Sequence, residues 1–132
     1  MSKLIKKVSK KVGSNPVARA VAVQGMRQMT VVVRTRLYLM DEGEDCRDMM
    51  VLLTLPANAL ALAFERLKET DSPDARKLKA GMKLLIEISE RQFAWRKDDT
   101  VTIDNIMEIL ERRWPKMPPR LINACIQSLR SA

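Results

Sequence analysis

The sequence predicts an all-α fold: a single-domain helical bundle of five to six helices with a basic N-terminal leader. Three observations predict it. N-cap and proline start signals recur at Asn15-Pro16, Leu55-Pro56, Ser72-Pro73 and Thr102. Between them, apolar residues return at three- and four-residue steps. Only Tyr38, Phe64, Phe93, Trp95 and Trp114 are aromatic, so the core must be built from Leu, Ile, Val, Ala and Met. A chain of 132 residues holds one domain with a modest core and is too short for two. Residues 1–14 read as the leader and 15–132 as the helical domain.

In the leader, Leu4, Ile5, Val8 and Val12 fall at roughly helical spacing, with five lysines between and around them. Such a segment is too short to hold a helix alone in water, but could fold against a polyanion or a membrane surface. Gly13-Ser14 breaks the pattern, and Asn15-Pro16 opens a helix reaching about Met40. Its apolar residues, among them Val17, Val21, Met26, Met29, Val33 and Leu37, occupy nearly every side, so a central place in the bundle is expected. Thr30 to Met40 also satisfies a strand pattern, with Met50 to Leu55 as its best partner. Helix is the preferred reading because no clear partner strand exists.

Asp41-Glu42-Gly43-Glu44-Asp45 is a turn and then the acidic first turn of a helix starting near Glu44. It lacks the alternating twelve-residue ligand pattern of a calcium loop. Residues 49–64 are almost wholly apolar. The run falls short of the ~20 residues of a membrane span and is interrupted by Pro56, which predicts two buried helices broken there. Ser72-Pro73 starts a helix running to about Trp95, with Leu78, Met82, Leu85 and Phe93 as its seam. Thr102 is the expected cap of a helix carrying Ile103, Ile106, Met107, Ile109 and Leu110, which Trp114-Pro115 stops. The last helix should bury Leu121, Ile122, Cys125, Ile126 and Leu129.

Charge is the strongest functional signal. The net charge is +8, from 24 basic and 16 acidic residues. The first 40 residues hold nine of the basic groups (Lys3, Lys6, Lys7, Lys10, Lys11, Arg19, Arg27, Arg34 and Arg36) and no acid. The remaining 15 basic and 16 acidic groups leave residues 41–132 at −1, so the whole excess sits at one end of the chain. These nine residues are the candidate nucleic-acid-binding set. With Tyr38 the only aromatic among them, contact with DNA or RNA should be to the phosphate backbone and largely independent of sequence. The alternative is a protein-interaction module, an inhibitor or adaptor for an acidic protein partner, acting through an exposed helical face.

A second nucleic-acid signal lies in the last helix, where Arg120, Asn123, Gln127 and Arg130 form a polar row suited to a recognition helix. The preceding turn contains three prolines and no glycine, and the helix before it is acidic, so two ordinary bundle helices are the preferred reading. No histidine occurs, which excludes imidazole catalysis and the common zinc motifs. The four glycines stand alone, so no phosphate-cradling loop is present, and no enzyme activity, cofactor or metal is expected. Cys46 and Cys125 are too few for a structural zinc site and read as reduced thiols. Without a signal-peptide pattern or a transmembrane span, the expected location is the cytoplasm. The apolar first helix predicts a homo-oligomer, most simply a homodimer with residues 16–40 at its interface. A small basic chain of this kind suits a regulatory protein of phage or plasmid origin.

Overall fold

In the computed structural model the chain is described over residues 16–131, with side chains from Gln24 onward. The basic leader and the expected cap at Asn15 lie outside the described residues. Five α-helices follow in order: α1 (Pro16–Leu39), α2 (Arg47–Arg66), α3 (Pro73–Glu90), α4 (Thr100–Arg113) and α5 (Pro119–Ser131). Short 3₁₀ turns at Lys97–Asp99 and Trp114–Lys116 flank α4. No strand occurs among the described residues. The ambiguity over Thr30 to Met40 is resolved as helix: Met26, Thr30, Val33 and Leu37 recur at helical steps and are buried on one side.

The centre of the bundle is α2. It packs against α5, α3, α1 and α4, and buries Met49, Met50, Leu53, Ala57, Ala59, Leu60, Ala63 and Phe64. Pro56 does not break it, contrary to the expectation of two helices; one continuous helix passes through. A proline inside a helix removes the bond to the carbonyl four residues earlier. Here that carbonyl belongs to Leu52, on the exposed side of α2, where water can serve it, while burial on the opposite side holds both halves in line. By length and composition alone α2 could cross a membrane; in this fold it is the core helix.

The central place expected for α1 is corrected. It is peripheral, packing against α4, the Trp114–Lys116 turn and α2 on one side only. Its apolar residues are spread around the helix, but one side suffices to bury the Met26, Thr30, Val33 and Leu37 row.

Helix α3 begins as expected, with the Ser72 side chain accepting a hydrogen bond from Ala75 N at 3.2 Å. It ends at Glu90, short of Trp95, because Gln92 (φ 59°) and Phe93 (φ 60°) turn left-handed. Phe93 N then donates to Ile88 O at 2.8 Å, closing the helix end. Phe93 and Trp95 therefore do not extend the α3 seam. They belong to a loop clasp. Gly43 N donates to Trp95 O at 2.7 Å, Trp95 N to Glu44 O at 2.8 Å and Cys46 N to Phe93 O at 2.9 Å. Gly43 has φ 86°, a conformation that favours glycine.

The clasp engages residues 43–46, so α2 starts at Arg47 rather than near Glu44, with Asp45 Oδ1 accepting from Arg47 N at 2.9 Å. Likewise α4 starts at Thr100, not after Thr102, because the 3₁₀ turn feeds directly into it; Thr100 Oγ1 donates to Lys97 O at 2.7 Å. Helix α5 buries Ile122 and Cys125 fully, and Leu121, Ile126 and Leu129 in part, packing mainly on α2.

Candidate nucleic-acid interface

The basic residues of α1 fall into three situations. Arg19 lies on the helix backbone, with its side chain outside the described residues, as Lys3, Lys6, Lys7, Lys10 and Lys11 are entirely. Arg34 is half-buried and committed within the fold. Its Nη1 donates to Glu111 Oε1 at 2.6 Å, and its Nε lies 3.6 Å from Asp104 Oδ1. The fully buried Thr30 hydroxyl bonds to the same Glu111 carboxylate and lies 3.1 Å from Arg27 O. Together these groups pin α1 onto α4. Arg27 and Arg36 are exposed, and neither pairs with a carboxylate side chain among the described residues. Nine residues apart at 100° per residue, they stand at opposite edges of the exposed half of α1.

Between those edges the helix shows apolar surface: Val31 is 56% exposed, Val32 48%, Tyr38 88% and Leu39 73%. Nearby, a groove of about 550 Å³ runs between α1 and α4. Leu37, Trp95, Ile103 and Met107 supply its apolar lining, while Tyr38, Lys97 and Asp104 bring polar groups to it.

The remainder of the bundle pairs many of its charges internally. Asp74, in the first turn of α3, accepts from Arg112 at 2.7 and 2.8 Å and from Arg113 at 3.0 Å. The hydrogen bonds from Arg112, aided by Arg113, hold its carboxyl down to about 2. Arg113 also reaches Glu69 Oε2 at 2.6 Å and lies over the Phe64 ring, 4.8 Å from its centroid. Arg91 pairs with Asp99. The two thiols are buried and free; burial pushes the Cys46 thiol up, and its Sγ lies 3.2 Å from Phe93 O. Among the described residues no group of side chains is arranged to hold a metal ion.

The polar row of the last helix is where the sequence placed it. Arg120, Asn123, Gln127 and Arg130 are all exposed. Their helix leans on α2, so the row faces away from the core without being set by packing against α4. The lysine set and this row cannot be brought into one described surface, because the lysines lie outside it. Sequence reasoning missed the α1–α4 groove and the exposure of Tyr38. The signal for the groove was present only in the register of two distant segments, which no local pattern reveals. No family model matches the chain, and no curated protein and no solved structure matches it either.

Proposed function

We propose that this chain is a small, non-enzymatic regulatory protein that binds nucleic acid, chiefly through phosphate contacts made by its N-terminal third. The observation that carries the reading is the separation of its charge. Nine basic residues and no acid occupy positions 1–40, against a balance of −1 over positions 41–132. A positive field confined to one end suits a polyanion better than it suits general solubility. Arg27 and Arg36, exposed and without carboxylate partners, extend that field along α1. Arg34 contributes less, since Glu111 and Asp104 already hold it.

The test is fluorescence anisotropy of a labelled DNA duplex over a salt series starting near 50 mM. Each phosphate neutralised contributes a slope of about −0.9 in log K against log salt. Deleting residues 2–12 should flatten the slope by roughly four to five units if all five lysines engage. Equal affinity and slope after the deletion would remove the leader from the interface. No binding by the intact chain would favour the second reading, a protein-interaction module. That reading is supported by a groove of about 540 Å³ in which Met50, Val51, Leu55, Met82 and Ile86 take part and which no charged residue lines.

A further inference from the structure

We infer that the groove between α1 and α4 is a docking site for the basic leader of a second copy of this chain. Two properties of the groove select this occupant. Leu37, Trp95, Ile103 and Met107 give it an apolar part, beside the polar Arg34, Thr35, Lys97, Thr100 and Asp104. Its end lies against the acidic loop, where Glu42 Oε2 accepts from Lys97 N at 3.2 Å and Trp95 is clasped to Gly43 and Glu44. That loop carries Asp41, Glu42, Glu44 and Asp45, all exposed, within five residues and without a basic group. Over residues 41–48 five carboxylates stand against one base, Arg47, and over residues 96–99 Arg96 and Lys97 are balanced by Asp98 and Asp99, so the acidic excess stays with the loop. A segment suited to such a site would combine apolar residues at helical spacing with lysines around them. The leader offers Leu4, Ile5, Val8 and Val12 with five lysines and no acid.

For a leader that docks as a helix, length requires that it come from another copy. The part of α1 that lines the groove, Arg34 to Tyr38, lies 18 to 22 residues from Pro16. At ~1.5 Å per residue that is about 27–33 Å along the helix. The leader departs from the opposite end, and its 14 residues span only about 21 Å as a helix, which is the conformation that gathers its apolar residues on one side. A second copy placed antiparallel along α1 brings each leader over its partner's acidic loop. It thereby closes the pair with two equivalent contacts, and it covers Val31, Val32 and Leu39 on the way.

Sedimentation velocity on the full, nucleic-acid-free chain from 1 to 100 µM tests this at ~50 mM and ~500 mM salt. The expected result is a dimer at low salt that weakens at least tenfold at high salt. The double variants K6E/K7E and E42K/E44K should each weaken it at least tenfold at low salt. Mixing the two variants should restore a one-to-one dimer, because each then meets its complement. Circular dichroism checks that helicity is retained; if E42K/E44K loses it, K6E/K7E, which alters no described residue, decides alone. A wild-type chain that stays monomeric at 100 µM and low salt overturns the proposal. So does a dimer indifferent to the reversals, or a mixture of folded variants that fails to pair.

Discussion

Helices α1 and α2 are the two longest in the molecule, and both are rich in apolar residues, yet they do opposite things. Helix α2 is enclosed by four neighbours and buries eight side chains. Helix α1 touches the bundle along one side, pinned by Thr30 and Arg34 to Glu111, and leaves Val31, Val32, Tyr38 and Leu39 in solvent. The difference teaches that apolar content does not decide which helix becomes the core. What separates them is the kind of residue. Helix α2 offers Ala57, Ala59 and Ala63, fully buried small side chains that let neighbouring helices approach from several directions. Helix α1 carries arginines and β-branched residues around its girth, which suit a boundary between packed bundle and open surface.

The sharpest way to break this comparison is to truncate one residue on each helix. Leu60 is fully buried in α2, so Leu60→Ala should cost about 2–5 kcal/mol in urea unfolding. Val32→Ala on α1 should shift the stability of the folded monomer by no more than about 0.5 kcal/mol. Similar costs at the two sites would mean that the outer side of α1 is buried in solution. A smaller effect is expected where α3 meets α4. A Cβ at Gly81 would fall 2.6 Å from Ile106 Cδ1 and closer still to Cγ1. Gly81→Ala should therefore destabilise by about 1–3 kcal/mol despite the better helix propensity of alanine. Stabilisation would show that the body is packed less tightly than α2 implies.

A further effect concerns pH. Asp74 has its carboxyl held at about 2, below its ordinary 3.8, by Arg112 and Arg113. A lowered folded value stabilises the fold above the unfolded value, and the contribution is lost as pH falls from about 4 through 2. After allowance for solvent screening, about 1–2 kcal/mol should disappear over that window, and Asp74→Asn should remove that part of the slope. Thermal unfolding at pH 2, 3, 4 and 6 measures it. An unchanged acid slope in the variant would show that other carboxylates govern acid sensitivity.

Start signals read well from the sequence where the chemistry is local. Ser72-Pro73 begins α3 as its capping pattern requires, and the helical spacing of the Ile103–Leu110 residues marks α4. What did not read was set by distant partners. The end of α3 at Glu90 and the start of α2 at Arg47 both follow from the clasp between residues 43–46 and 93–95, whose members lie some fifty residues apart. Pro56 was a valid stop signal overridden by burial on the far side of its helix. Of the candidate interface, the exposure of Arg27, Arg36 and the Arg120, Asn123, Gln127 and Arg130 row follows from helical periodicity. The commitment of Arg34 does not, because it depends on Glu111, far along the chain, arriving beside α1.

The clasp changes what its segments can do on the timescale of solvent exchange. Loops ordinarily open locally, so their amide hydrogens trade with water quickly. The amides of Gly43, Cys46 and Trp95 are held instead by bonds across the two loops, and Trp95 and Cys46 are themselves buried. Freeing any of the three means parting the two loops at Phe93 or Trp95. These loop amides should therefore exchange more slowly than those of an unpaired loop, and their protection reports on whether the two loops stay together.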